Sequence, residues 1–107
     1  MTRAARVLVV DDDADFREAI GDRLGQQGWE VTTVDSGPAA LRMVRDAAPA
    51  VVLLDLVLPG MDGLAVLEAL RREDPELAVI VITGYGTAAR AVEAMRKGAY
   101  DFVTKPL

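Results

Sequence analysis

The sequence predicts an α/β fold, a doubly wound sheet of five parallel strands with helices on both faces. Short runs of branched apolar residues alternate with segments whose apolar residues recur every three or four positions, as in amphipathic helices. Right-handed crossovers convert this alternation into a parallel sheet. Several runs also end in carboxylate, hydroxyl or ammonium side chains, and such sheets bind ligands at the carboxyl ends of their strands. We therefore expect the strand order 2-1-3-4-5.

The composition limits the size and location of the domain. A chain of 107 residues with 51% hydrophobic content supports one domain with one core, spanning residues 1–107. The net charge of −5 disfavours direct binding of this segment to nucleic acid or to an anionic membrane. No apolar stretch approaches the ~20 residues of a membrane span, and the N-terminus lacks a signal-peptide pattern. We expect a cytoplasmic protein without membrane contact.

The absence of cysteine and histidine limits the available chemistry. It removes disulfides, thiolate nucleophiles, serine or cysteine triads and the usual zinc ligands. Carboxylates, hydroxyls and two lysines, Lys97 and Lys105, remain. Carboxylates beside a single ammonium suit a hard cation such as Mg²⁺ together with a phosphoryl group.

The first half of the chain predicts two strand–helix units. The first strand, Val7–Val10, runs into the acids at 11–13, the last of which is expected to cap the following helix. That helix ends at Gln27-Gly28. The second strand is Val31–Val34, and Ser36-Gly37-Pro38 begins the second helix because proline suits a first turn. The apolar residues that mark these helices are Phe16, Ile20 and Leu24, then Ala40, Leu41, Val44 and Ala47.

The third strand carries the most unusual residue of the chain. Asp55 is the one charged side chain in the apolar run Val51–Leu58, which ends at Pro59-Gly60 and predicts a strand buried on both faces. A buried carboxylate must be paired, neutralised or bound to a metal. The third helix that follows is marked by Val66, Leu67 and Leu70.

Two more strands complete the sheet. Ala78–Ile82 ends at Thr83-Gly84, and Phe102–Thr104 ends at Lys105. The chain stops directly after this fifth strand, so we expect a domain truncated before its last helix. An apolar strip over 7–10 and 102–104 would then be exposed and would favour self-association. The fourth helix, between the two strands, is marked by Ala88, Ala91, Val92 and Met95.

Four neighbouring strand ends form a candidate site. In the expected order, Asp11, Asp12 and Asp55 converge in one crevice, flanked by Thr83 and Lys105. Each residue alone has an ordinary interpretation as a cap, a turn residue or a solvated lysine. Their coincidence at neighbouring strand ends favours a functional site.

The aromatic residues leave two interpretations open. Tyr85, Tyr100 and Phe102 are all suited to a core. Phe102 also lies on the strand that leads to Lys105, beside the Thr83 strand end, and could serve the site.

The whole chain resembles the receiver domain of two-component response regulators. The matching stretches are VLVVDDD at 7–13, LLDLVLPGMDG at 53–63, VITGYG at 81–86 and GAYDFVTKP at 98–106. The resemblance implies that Asp55 is the phosphoacceptor, that Thr83 meets the phosphoryl group and that Lys105 neutralises it. Phe102 matches the switch aromatic of the family.

The resemblance also implies Mg²⁺ as the cofactor. Asp12 would bind the ion directly and Asp11 through water, together with Asp55 and the backbone carbonyl of Val57. The backbone N–H groups of Val57 and Gly84 would complete the cradle for the phosphoryl group.

The implied role is a regulatory switch, not an enzyme, since the domain assists only its own phosphoryl transfer. A partner sensor histidine kinase would supply the phosphoryl group, because the chain has no histidine. Thr83 would then move and Phe102 rotate inward, changing a surface near the fourth helix and fifth strand. That surface would meet an output domain, a downstream protein or a second copy in a homodimer. The finer pattern resembles receivers of sigma-54-type transcription activators.

Three further expectations concern the rim of the site and a rival function. Val57 and Tyr85 would make loss of the phosphoryl group slow, since neither orients a water. The Lys105-Pro106 peptide would be cis. The rival function is a non-switching, flavodoxin-like module that holds a metal or small ligand in the same crevice.

Overall fold

The computed structural model describes residues 5–84 and 87–105. The strands of its main sheet are β1 (Arg6–Val10), β2 (Glu30–Val34), β3 (Val51–Leu54), β4 (Ala78–Thr83) and β5 (Asp101–Thr104). The helices of the described residues are α1 (Ala14–Gln26), α2 (Gly37–Ala47), α3 (Gly63–Glu73) and α4 (Ala88–Arg96). None of these helices has the length and apolar character needed to cross a membrane. The sheet is parallel in the order β2-β1-β3-β4-β5, which confirms the predicted fold.

The ends of the first two helices follow local side-chain chemistry. The Asp13 carboxylate accepts the N–H groups of Asp15 (3.0 Å) and Phe16 (3.3 Å), so it caps α1 as predicted. Gly28 follows α1 with φ 95°, a conformation that favours glycine. Ser36 caps α2 with its hydroxyl oxygen.

The third strand is shorter than the predicted 51–58. It ends at Leu54, and Asp55 donates its N–H to the carbonyl oxygen of Val10 (2.9 Å). The Asp55 carboxylate then accepts the Val57 N–H (3.0 Å), a local hydrogen bond that turns the chain out of the sheet. A two-residue antiparallel ladder follows, with Val57–Leu58 beside Met61–Asp62.

The two faces of the sheet are covered to different extents. One face packs against α2, α3 and α4, and its buried strand residues are Leu8, Val10, Val52, Leu54, Val79 and Val81. On the opposite face lies α1, which has no fully buried residue. Several strand residues of this second face are only partly buried: Val51, Leu53, Ile80 and Val103.

The predicted exposure of Val7–Val10 is wrong. Val7–Val10 are 0–3% exposed, because β1 lies between β2 and β3 and is covered on both faces. The apolar spacing that predicts α4 does not mark its buried side: Ala94 is buried, whereas Val92 and Met95 are 52% and 47% exposed. Spacing shows that a helix is amphipathic, but the neighbouring elements decide which side is covered.

Candidate functional site

An open crevice of about 280 Å³ lies at the carboxyl edge of the sheet, where β1 and β3 end side by side. Its lining contains six residues that the sequence predicts for the site, with Asp13 added from the start of α1. The lining residues are Asp11, Asp12, Asp13, Asp55, Val57, Gly84 and Lys105.

Three carboxylates converge in this crevice. Val10 and Leu54 are register partners, so the acids that follow them lie at adjacent strand ends. Asp11 and Asp55 are 1% and 7% exposed, and Asp12 is exposed. One carboxylate oxygen from each acid lies within 4.8 Å of the other two. The structure thus brings together the three acids that the sequence predicts at this edge.

Lys105 reaches the acids from the end of β5. Its backbone N–H donates to the carbonyl oxygen of Thr83 (3.0 Å), which continues the pairing of β5 with β4. Its Nζ donates to Oδ2 of Asp11 (2.6 Å) and to Oδ2 of Asp55 (3.3 Å). A single ammonium therefore bridges two buried carboxylates.

Burial and charge both affect protonation in the crevice. Burial raises the pKa of Asp11, and the nearby charge of Asp55 adds to this rise, against the hydrogen bonds from Lys105 and from the Asp13 N–H. Burial alone would lower the pKa of Lys105, but the hydrogen bond and charge of Asp11, together with Asp55, outweigh burial and raise it. Lys105 is therefore protonated at neutral pH. One ammonium beside four aspartates leaves the crevice short of positive charge.

The donor set of the crevice fits a hard divalent cation. Mg²⁺ and Ca²⁺ prefer oxygen ligands, and the three acids offer carboxylate oxygens within 4.8 Å of one another. Asp12 is exposed, so the cluster is open to water on one side. Such an open set of ligands suits an ion that keeps part of its hydration shell.

Val57 and Gly84 lie at the rim of the crevice. The Val57 residue is 46% exposed, and its N–H donates to Oδ1 of Asp55 (3.0 Å). The sequence predicts this N–H as a phosphoryl contact, and here it bonds to the predicted acceptor itself. The roles of the Val57 carbonyl and the Gly84 N–H stay predictions. Tyr85 and the Lys105-Pro106 peptide lie outside the described residues.

Thr83 and Phe102 lie on neighbouring strands at different depths. Thr83 is fully buried at the end of β4, in register with Thr104. Phe102 is in register with Val81, two residues further from the crevice, and packs against the core while partly buried. Tyr100 is 73% exposed and is not a core residue. Phe102 is thus a core-edge residue in this structure, and its switch role stays a prediction.

Two residues of α1 contact the crevice although the sequence indicates only helical positions for them. The Arg17 Nη1 donates to the backbone carbonyl oxygen of Asp11 (2.7 Å). The ring of Phe16 faces Lys105, with 4.1 Å between its centroid and Nζ. Their place in the first turn after the acidic triplet is the signal that could have pointed to them.

Known proteins share this fold and much of this sequence. The family model "Response regulator receiver domain" matches residues 7–107. The response regulator protein FleR of Pseudomonas aeruginosa is 47% identical over 103 residues, which are 96% of this chain and 22% of FleR. The chain therefore spans less than a quarter of the length of that relative.

Two solved structures are similar over nearly the whole chain. NtrX from Brucella abortus superposes with a TM-score of 0.91 at 43% identity, covering 98% of this chain and 24% of that chain. A response regulator protein from Burkholderia pseudomallei superposes with a TM-score of 0.92 at 28% identity, covering 96% of this chain and 61% of that chain. The Burkholderia structure contains a phosphorylated aspartic acid, a calcium ion and citrate.

Proposed function

The chain belongs to the response regulator receiver domain family, a family of phosphorylation-dependent switches, and from this premise we propose that Asp55 accepts the phosphoryl group. The observation that carries this assignment is the ammonium of Lys105 between Asp11 and Asp55. Asp55 combines burial, a strand end and a bonded lysine with two further acids close by. This is the environment that an anionic acceptor of an anionic group requires.

The proposed reaction transfers a phosphoryl group from an imidazole to a carboxylate. An Asp55 oxygen forms the new bond to phosphorus, the P–N bond of the donor breaks, and the imidazole leaves with the electron pair. The product is an acyl phosphate. This chain contains no histidine, so the donor imidazole lies outside it, and we propose that a sensor histidine kinase supplies it. Because such kinases use ATP, we propose that the exchange occurs in the cytoplasm.

The crevice must accept an anion although four aspartates already line it. Lys105 lowers the repulsion at Asp55 with its bonded ammonium. Asp11, Asp12 and Asp55 are proposed to hold Mg²⁺ together with the backbone carbonyl of Val57. When bound, the ion supplies positive charge that offsets the carboxylates and the incoming phosphoryl oxygens. The N–H groups of Val57 and Gly84, at the rim, are proposed as further donors to these oxygens.

Thr83 and Phe102 are proposed to carry the signal away from Asp55. Thr83 lies at the crevice end of β4 and would turn toward the phosphoryl oxygens. Phe102 packs partly buried on the neighbouring strand and would move into the space released. The readout surface would then include α4 and β5. An output domain of sigma-54 type, a downstream protein or a second copy of the chain is the proposed reader of that surface.

The decisive experiment compares two aspartates of the segment between β3 and α3. Asp55→Asn should abolish labelling by radioactive acetyl phosphate in the presence of Mg²⁺. Asp62→Asn is the matched control, because Asp62 is an exposed cap of α3 and asparagine caps equally well. The control should be labelled like the wild type and should bind beryllofluoride in a cation-dependent manner.

Two outcomes would contradict the proposal. If Asp55→Asn is still labelled and the label maps to another aspartate, that aspartate and not Asp55 is the phosphoacceptor. A wild-type chain that binds the cation but takes neither label nor beryllofluoride would be the non-switching binding module instead.

A further inference from the structure

We propose that Phe16 is a positioning residue for Lys105: its ring would hold the ammonium over Asp11 and Asp55 during phosphoryl transfer. The Lys105 Nζ lies 4.1 Å from the centroid of the Phe16 ring. This inference rests on the proposed function of Asp55, because it concerns the lysine that serves that site.

The contact completes a closed ring of interactions among four residues at the crevice. Asp11 Oδ1 accepts the N–H of Asp13 (2.9 Å), and Asp13 Oδ1 accepts the N–H of Phe16 (3.3 Å). The ring of Phe16 faces the Lys105 ammonium, which donates back to Asp11 Oδ2 (2.6 Å). The acidic loop, the start of α1 and the end of β5 therefore hold one another in register.

The chemistry of the two groups explains why a ring suits this position. A lysine ammonium has three donors on a flexible stem, and here two of them bond to Asp11 and Asp55. The negative face of an aromatic ring attracts the remaining side of the cation without offering a competing carboxylate. An aliphatic side chain of similar volume would fill the space but would not attract the charge.

Ordinary packing of α1 on the sheet is the alternative explanation. Phe16 is partly buried in the same apolar row as Ile20 and Leu24. A packing role predicts that any residue of similar volume serves equally well at this position. A positioning role predicts that only an aromatic face does.

The test therefore compares Phe16→Leu with Phe16→Tyr, using Ile20→Leu as the control one helical turn away. The initial rate of acetyl phosphate labelling is measured at saturating Mg²⁺. We expect Phe16→Leu to lower the rate by roughly 2- to 5-fold, from the usual strength of a partly exposed cation–π contact. Phe16→Tyr and Ile20→Leu should keep the wild-type rate. In a Lys105→Met background, Phe16→Leu should cause no further loss.

A second measurement tests the contact without the reaction. The chain has two lysines, so ¹³C-lysine labelling gives two sets of ε-methylene signals. The Lys105 signal should show an upfield ring-current shift that persists in Phe16→Tyr and disappears in Phe16→Leu.

The outcomes separate this inference from the proposed function. If the wild type is labelled at Asp55 and Phe16→Leu is labelled at the same rate, the positioning role is wrong and the function stands. An unshifted Lys105 signal in the wild type would overturn the contact itself. A wild type that takes no label would overturn both proposals.

Discussion

Lys97 and Lys105, the two lysines of the chain, each bond to a carboxylate in very different surroundings. Lys97 joins α4 to Glu68 on α3, where the two side chains are 31% and 37% exposed. Lys105 bonds to Asp11 and Asp55, whose side chains are 1% and 8% exposed. Lys97 therefore forms a solvated surface pair, and Lys105 serves a buried cluster.

The pKa values of Glu68, which bonds to Lys97, and of Asp11, which bonds to Lys105, are shifted in opposite directions. The hydrogen bond from Lys97 lowers the pKa of Glu68, and Arg72 adds positive charge nearby. Burial raises the pKa of Asp11 although Lys105 bonds to it more closely than to Asp55. The surface pair thus favours the ionised form of Glu68, whereas burial in the crevice opposes the ionised form of Asp11. Burying carboxylates in the crevice lowers the free energy of unfolding. Such a cost is typical of a functional site.

The largest expected difference between the lysines is in phosphoryl transfer. Lys105→Met should slow acetyl phosphate labelling of Asp55 on the order of 10²-fold, the usual loss when one charge-stabilising donor is removed. Lys97→Met should leave the rate within about two-fold, since it lies outside the crevice lining. Initial rates for both variants at equal Mg²⁺ test this contrast. Equal losses in the two variants would show that Lys105 has no special part in the transfer.

Stability should separate the same two variants. Lys105→Met leaves the buried carboxylate of Asp11 without its ammonium and should lower the free energy of unfolding by about 3 kcal/mol at pH 7. Lys97→Met removes a solvated pair and should change it far less. Urea titration of both proteins without divalent cations measures the difference. A small effect of Lys105→Met would mean that Asp11 is already neutral.

A divalent cation should stabilise the crevice and not the surface pair. Mg²⁺ at about 30 times its dissociation constant should raise the free energy of unfolding by about 2 kcal/mol. Asp12→Ala should lose most of this gain, since Asp12 belongs to the three-acid cluster. Glu68→Gln, which changes the carboxylate that bonds to Lys97, should keep the gain from Mg²⁺. Thermal melts with and without Mg²⁺ decide the point, and a full gain in Asp12→Ala would exclude this ligand.

The smallest expected effects lie in the pH dependence of stability. The folded pKa of Glu68 is lowered from 4.5, so its contribution is present above that value and is lost as the pH falls through the folded pKa. The folded pKa of Asp11 is raised from 3.8, so its contribution is full below that value and is lost as the pH rises through the folded pKa. Glu68→Gln and Asp11→Asn should therefore change the dependence of the free energy of unfolding on pH, on the acid side of the curve, in opposite directions. Urea midpoints between pH 3 and 7 give this comparison directly. Changes in the same direction in both variants would contradict it.

Much of the candidate site could be predicted because strand ends are local features. Asp11 and Asp55 each follow an apolar run, and neighbouring parallel strands bring such ends together. The helix caps Asp13 and Ser36 were predictable for the same reason, since a cap depends on residues within one turn.

Features that depend on distant contacts were not predictable. The end of β3 is set by the Asp55 carboxylate, which bonds to the Val57 N–H where the pattern of 51–58 indicates continued strand. The exposed side of α4, with Val92 and Met95, depends on which elements cover the helix. The contact of Phe16 with Lys105 joins opposite ends of the chain, and helical spacing carries no information about it.

The sequence by itself determined the alternation of strands and helices, and the acids and lysine at the strand ends. These properties reside in residue type and in spacing over a few positions. The tertiary structure decided which carboxylate Lys105 bonds to more closely and how deeply each acid is buried. It therefore also decided that the pKa of Asp11 is raised. Asp11 and Lys105 are 94 positions apart, and their interaction depends on a distance and a desolvation that arise only when the whole sheet is assembled.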